Sequence, residues 1–246
     1  MQLWADFHTH TVYSHGQGSV QENVQAAYKA GLRAVGITDH GPANLFGVGV
    51  RGLNMFARIR QDAQRAALAT PGLQVLVGVE ANVVGTNGQL DIPAWLQAEL
   101  DIVLAGLHVL VRPQMYWPAA QLAGKNLLAR AWQGGRKAAL VANTDALVAA
   151  VYKNRIHIVT HPGYRLPVDT KELAKACAAR NTAMEVNTSH PHNTTDYVRL
   201  VFEAGAKLVV NSDAHEPGRV GDLAAGQQLL KKADIPVCAV INACIK

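Results

Sequence analysis

Short apolar runs separated by amphipathic stretches recur along the whole of this 246-residue chain. That alternation predicts βα units around a parallel sheet rather than a sandwich of strands. The opening strand passes through Leu3, Trp4 and Ala5 into Asp6-Phe7-His8-Thr9-His10. Asp6, His8 and His10 share strand parity, so one face carries an acid and two imidazoles. Ser19-Val20-Gln21-Glu22 has the capping-box pattern and predicts a helix to Ala30, stopped by Gly31. Further strands are predicted at 33–38, 74–79, 101–107, 155–160, 182–186 and 207–210. Helices are predicted at 53–69, from caps at Asn143, Thr144 and Asp145 to Lys153, from Asp169 and Glu172 to Arg180, at 196–204 and at 223–232. Val83 to Ile92, with Gly85-Thr86-Asn87-Gly88 inside it, reads as a small hairpin laid over the barrel mouth. Residues 113–142 read as an insertion of broken helices, and 237–241 as a short strand or a packed tail.

The chemistry-bearing residues fall just past these apolar runs. His8 with His10, then His40, Glu80, His108, His161, and Asp213 with His215 each follow a separate strand. In a parallel barrel such strand ends meet on one face. Nitrogen and carboxylate donors with no thiolate suit Zn²⁺, with Mn²⁺ or Fe²⁺ as alternatives, better than Mg²⁺. Together with His15 they outnumber the ligands of one tetrahedral ion and fit a cluster of two or three. Glu80, read as the one acid at a central strand end, is the natural bridge between two ions.

Composition narrows the class further. With 49% hydrophobic and 17% charged residues, residues 1–246 can bury one core as a single domain. The net charge of +5 suits an anionic substrate, but the Lys and Arg residues are scattered, so nucleic acid is not indicated. Cys177, Cys238 and Cys244 show no CxxC spacing and read as buried thiols of a cytoplasmic protein. No apolar run reaches the roughly 18 residues needed to cross a bilayer. Gly47, Gly49 and Gly52 match G-x-G-x-x-G, but a loop precedes them and no acid follows about 20 residues on, so the stretch reads as a lid or plain loop beside the site.

Six segments in order, Asp6-Phe7-His8-Thr9-His10, Ile37-Thr38-Asp39-His40, Gly78-Val79-Glu80, Gly106-Leu107-His108, His161-Pro162-Gly163 and Ser212-Asp213-Ala214-His215, resemble the motifs of the PHP (polymerase and histidinol phosphatase) phosphoesterases. The resemblance spans nearly the whole chain and is nearest to small stand-alone bacterial PHP phosphatases with three zinc ions. It implies an α/β fold, a distorted seven-stranded TIM-like βα barrel with its metal site at the C-terminal ends of the strands. It further implies one metal held by His8, His10, Glu80 and Asp213, a second by Glu80, His108 and His161, and a third by His15, His40 and His215. The 113–142 insertion has no evident counterpart in the family pattern.

The expected reaction is hydrolysis of small-molecule phosphomonoesters. Ions about 3.5–4 Å apart would acidify a bridging water so that hydroxide attacks phosphorus in line. Glu80, Asp213 and His215 are the catalytic candidates, the last two as proton shuttles to the leaving alkoxide. Asp6 and Asp39 either orient imidazoles or, for Asp39, cap a turn. Asn187, Ser189 and Arg165 are candidates for substrate contact, and Arg51 and Arg112 join Arg165 as possible phosphate clamps. His190 and His192 read as rim residues, and His157 as a histidine inside the barrel. A phosphodiesterase or nuclease with the same metals, or a non-catalytic metal-binding module, are the competing readings.

Overall fold

A computed structural model describes residues 1–108, 111, 122, 124–127, 133–190 and 192–245. Seven parallel strands stand in chain order: β2 (Ala5–Asp6), β3 (Ala34–Ile37), β4 (Gln74–Asn82), β5 (Ile102–Gly106), β6 (Ile158–Val159), β7 (Ala183–Asn187) and β8 (Lys207–Asn211). Between them run α1 (Val20–Lys29), α2 (Met55–Leu68), α3 (Ala94–Glu99), α4 (Gln133–Lys153), α5 (Thr170–Arg180) and α6 (Thr195–Glu203), with α7 (Ala224–Lys232) after the last. The seam between β2 and β8 is bridged in parallel at Thr9 and Ala214, where His10 N donates to Ala214 O. The fold is therefore a nearly closed α/β barrel.

Strand alternation sorts the side chains into two layers. Val35, Ile37, Val77, Val79, Val103, Val159 and Met184 pack outward against the helices in the main core. Ala34, Ile102, Leu104, Ile158, Ala183 and Val209 face inward and, with Ala5 and Phe7, plug the barrel's lower end. Further along the strands, the same inward parity carries Glu80, Asn82, Glu185, Asn187 and Asn211, all buried. Polar groups at that depth are tolerated only when something satisfies them, which marks the upper end of the barrel as the site.

Local chemistry explains most boundaries. Ser19 and Glu22 form the reciprocal capping box of α1, and Asp169 accepts from Glu172 N at the start of α5. The helix expected from Asn143 instead begins ten residues earlier as α4, because its supposed caps find tertiary partners. Asn143 Nδ2 donates to Asn126 Oδ1 and Pro167 O, while Thr144 Oγ1 donates back to Leu140 O and accepts from Asp169 N. Much of the expected 113–142 insertion, and Arg112, lie outside the described residues. The short helix α3, behind Pro93, has no counterpart in the sequence reading.

The chain ends meet in a small antiparallel pair, β1 (Gln2–Leu3) with β9 (Ala243–Cys244). Between them and the barrel, buried Asn242 donates to Ala5 O and Val210 O and accepts from Val210 N. Its side-chain amide thus substitutes for a missing ladder rung at the β2/β8 seam. The tail at 237–241 is a single 3₁₀ turn, Val237–Ala239, rather than a strand. The hairpin at 83–92 forms, with Val83 bridged to Leu90, but it rests on α4 through Lys153 Nζ to Asn87 O and Asn154 Nδ2 to Gly88 O rather than over the mouth.

Among the described residues no helix is long and apolar enough to cross a membrane. Of the three cysteines only Cys177 is buried, its thiol pushed up to about 12 by burial. Cys238 is exposed and Cys244 partly so, which corrects the expectation of three buried thiols.

Candidate metal centre

Glu80 stands at the centre of the upper layer, fully buried, and its two carboxylate oxygens face different imidazoles. Oε2 lies 2.8 Å from His40 Nδ1, 3.3 Å from His8 Nε2 and 3.6 Å from His10 Nε2. Oε1 lies 2.9 Å from His161 Nε2 and 3.2 Å from His108 Nε2. Asp213 Oδ1 is 3.1 Å from His10 Nε2 and 3.4 Å from His8 Nε2. Despite this crowding, both Glu80 oxygens, His40 Nδ1, His108 Nε2 and His10 Nδ1 are buried without a hydrogen-bond partner among the described residues. Buried donors and acceptors left unpaired cost about 1–3 kcal/mol each, so lone pairs aimed at shared points rather than at one another fit cations.

Among the described residues three sets of donor atoms converge: His8, His10 and Asp213; His40, Glu80 and His108; and His10, His40 and His215. The third set contains His10 where the resemblance implies His15. His15 lies beside it, with ring centroids 4.2 Å from His215 and 4.9 Å from His40. His161 stays close through its contact with Glu80 Oε1, although it belongs to none of the three sets.

Irregular backbone, not simple strand parity, delivers several of these groups. On β2 the ladder ends at Asp6; Phe7 packs into the inner plug, and His8 next to it also points inward to Glu80. Asp6 points away from the imidazoles and accepts from Ser212 N, Ser212 Oγ and Gly221 N, so the face shared by Asp6, His8 and His10 is not formed. His161 and Asp213 take left-handed backbone, φ 27° and 53°, a strain of about 1–3 kcal/mol that re-aims each side chain at its strand's end.

Neighbouring residues hold the donors in place. His8 Nδ1 meets Glu185 Oε1 at 2.7 Å, which presents Nε2 as the free lone pair. His108 Nδ1 does the same with Asn82 Oδ1 at 2.7 Å. Asp39 accepts from Thr11 N, Thr11 Oγ1 and Ser14 Oγ, so it fixes the loop between His10 and His15 rather than an imidazole. Glu185 and Asn82 escaped the sequence reading, which took Glu80 as the one acid at a central strand end. The signal was present: Glu185 is an acid inside an apolar run, with the inward parity of Asn187.

The electrostatics leave the site ready for cations. Burial would raise the Glu80 pKa, but His8, His108 and His40 hold it well below the carboxylate range; Asp213 is likewise held low against burial by His8 and His10. Burial depresses His10, His108 and His215, and drives His15 down to about 4 with His215 and His40 adding to the effect. His8 and His161 go the other way: burial is outweighed by Asp213 and Glu185 at His8, and by Glu80 at His161. Ionised carboxylates and mostly neutral imidazoles are the protonation states that metal binding requires.

Beside the cluster opens a cavity of ≈ 300 Å³ whose wall includes Asn44, Val48, Leu107, Tyr164, Arg165 and His190. Arg165 is thus at the site, whereas Arg51 does not line the cavity. Asn187 and Ser189, expected to touch substrate, are occupied internally. Asn187 Nδ2 donates to Asp213 Oδ2 and Glu185 Oε2, its Oδ1 accepts from Ser189 N and His190 N, and Ser189 Oγ donates to Ser212 O. His190 reaches in from the rim to place Nε2 3.3 Å from Asp213 Oδ2. His157, expected inside the barrel, has the outward parity and accepts from Val103 N at 2.9 Å. The glycine-rich loop at 41–52 supplies Asn44 and Val48 to the wall and is pinned, because Gly41 sits against Asp91, where a Cβ would approach Oδ2 to 2.3 Å.

Known proteins resemble this chain in sequence and in fold. A bacterial protein from Shewanella pealeana described as a probable phosphatase is 31% identical over 98% of this chain and 89% of its own length. A probable phosphatase of Thermoanaerobacter sp. is 29% identical over 98% and 91%. In fold, the chain is similar to the histidinol phosphate phosphatase of Lactococcus lactis, solved with zinc, L-histidinol and phosphate (TM-score 0.64, 17% identity, 94% and 93% covered). A histidinol phosphatase structure from Listeria monocytogenes gives the same score at 15% identity, with 90% and 99% covered. The PHP domain model matches residues 6–189, a stretch that runs from the first strand end through every donor up to His161. With that match over most of its length and a barrel of the same kind, the chain belongs to the PHP domain family.

Proposed function

We propose that this chain is a metal-dependent phosphatase that hydrolyses phosphomonoesters of small molecules, with residues 1–246 acting as one catalytic domain. The observation that carries the reading is the set of buried, unpartnered donor atoms around Glu80, whose two oxygens serve separate groups of imidazoles. His8, His10 and Asp213 would hold one ion and His40, Glu80 and His108 a second, with His161 beside it. His10, His40 and His215, with His15 alongside, would hold a third. Nitrogen and oxygen donors without thiolate favour zinc, with manganese or iron as alternatives. Such ions would activate water and neutralise charge on the phosphoryl oxygens.

The chain's own groups supply the rest. Glu80, ionised against burial, keeps the cationic cluster together. The cavity of ≈ 300 Å³ admits a small ester, and Arg165 on its wall offers a guanidinium to an anion. Asp213 and His215 both face that cavity, so either can pass a proton to the leaving oxygen. Support also comes from relatives described as probable phosphatases that align over 98% of the chain.

The test is hydrolysis by zinc-loaded protein of a phosphomonoester panel, a phosphodiester and an oligonucleotide, before and after chelation. Monoester cleavage that stops on chelation and returns with zinc is expected. Folded, zinc-loaded protein that cleaves only the diester or the oligonucleotide would favour the nuclease reading, and no cleavage at all would favour a non-catalytic module.

A further inference from the structure

The charge of the cavity wall says something about the part of the substrate that is not phosphate. All 18 acidic residues of the chain lie in its described parts, and the stretch 109–132, which is only partly described, contains no Asp or Glu. Of the 18, Asp213 alone lines the cavity, and its oxygens are already engaged by His10, Asn187 and His190. An ammonium group on a bound substrate would therefore meet no free carboxylate. Taking a cation out of water without a counter-charge is costly, so the wall disfavours it.

Beside the donor cluster, next to His161 and Asp213, three side chains form a stack. The Tyr164 and His190 rings lie parallel, with centroids 4.0 Å apart and planes within 10°. Arg165 Cζ sits 5.0 Å from the Tyr164 centroid, within cation–π range. Arg165 holds left-handed backbone, φ 59°, which a non-glycine residue keeps only where its surroundings fix it. Among the described residues it makes no ion pair, although both it and Tyr164 line the cavity. Asn187 Oδ1 pins the backbone N–H of His190, so the stack is anchored from behind. A guanidinium stacked on Tyr164 with no ion pair among the described residues, beside a cavity without a free acid, is a receptor for an anion.

We propose that Arg165, held by Tyr164 and His190, forms a subsite for a second anionic group, so that the preferred substrates are phosphomonoesters carrying a further carboxylate or phosphate rather than an amine. The proposal rests on the phosphatase reading, and it assigns the specificity of that same site. Tyr164 is here a positioning residue, acting through Arg165.

The experiment uses zinc-loaded full chain and phosphonates, whose C–P bond is not hydrolysed: 3-phosphonopropionate, propylphosphonate and 2-aminoethylphosphonate, with affinities measured by calorimetry. Wild type should bind 3-phosphonopropionate about tenfold more tightly than propylphosphonate, a charge-assisted contact's worth, and 2-aminoethylphosphonate more weakly than either. Arg165→Gln should reduce that ratio to about threefold or less, Tyr164→Leu should reduce it in part, and Tyr164→Phe should restore it. Unchanged zinc content reports that each variant is folded at the site. In parallel, kcat/KM for 3-phosphoglycerate should exceed that for glycerol 3-phosphate and phosphoethanolamine. Equal affinities in wild type, tighter binding of the amine, or a ratio that Arg165→Gln leaves intact would overturn the subsite. If phosphonates bind as described but no ester is cleaved, the phosphatase reading fails and the subsite stands; cleavage without anion preference has the opposite meaning.

Discussion

Glu185→Gln removes a single charge and almost no volume, and its consequences can be worked from the hydrogen bonds around it. The carboxylate is fully buried and accepts four donors: His8 Nδ1 at 2.7 Å and Asn211 Nδ2 at 2.9 Å on Oε1, His161 N at 2.8 Å and Asn187 Nδ2 at 3.1 Å on Oε2. A glutamine amide has one accepting oxygen, so whichever way it turns two donors face its NH₂ group. Stranding each costs about 1–3 kcal/mol, hence about 2–6 kcal/mol in total, against a stability of about 5–15 kcal/mol for a typical domain. The substitution also removes the partner that fixes the His8 tautomer and strengthens Nε2 as a donor, which typically weakens metal binding about 10- to 100-fold. Urea unfolding of metal-free protein and zinc affinity by competition with a chromophoric chelator measure the two effects separately. Stability within about 0.5 kcal/mol of wild type, together with zinc affinity within about twofold, would refute the assigned role of Glu185.

Two further outcomes follow from the same geometry. His157→Gln should leave zinc content and kcat close to wild type, since among the described residues the ring accepts only from Val103 N; a large loss of zinc in a folded variant would contradict that placement. In chelator, thermal stability should fall as pH drops from about 6.5 towards 4. His15 is depressed to about 4 by burial, so the unfolded chain binds more protons than the native one across that window, and stability rises with pH there. His15→Gln should flatten the slope in circular-dichroism melts at pH 4.5, 5.5 and 7; an unchanged slope would assign it to other groups.

How much of this was legible in the sequence depends on how locally each feature is encoded. The strand ends were, because an apolar run followed by His, Glu or Asp is a local pattern, and the barrel brings such ends together. The capping box at Ser19 and the Asp169 cap were local too, and both formed. What escaped depends on contacts distant in sequence. Asn143 looked like a cap until Asn126 and Pro167 satisfied it inside α4. Asn187 and Ser189 looked free to meet substrate but are consumed by Asp213, Glu185 and Ser212. Asp6 seemed to share a face with His8 and His10, yet the alternation breaks after Phe7, and only the seam with β8 reveals it. Glu185 was hidden for the converse reason, being a charge within an apolar strand whose partner lies 177 residues away.

The proposal turns on Glu80 as the residue that would hold the metal cluster together, with Oε2 facing His8, His10 and His40 and Oε1 facing His108 and His161. Elemental analysis of wild type and Glu80→Gln, both saturated with zinc and desalted, tests it most directly. Wild type should retain at least two zinc ions per chain, and the variant should lose metal and phosphomonoester hydrolysis together while remaining folded. A wild-type chain that keeps one ion or none, or a Glu80→Gln chain that keeps its full metal content and activity, would contradict it.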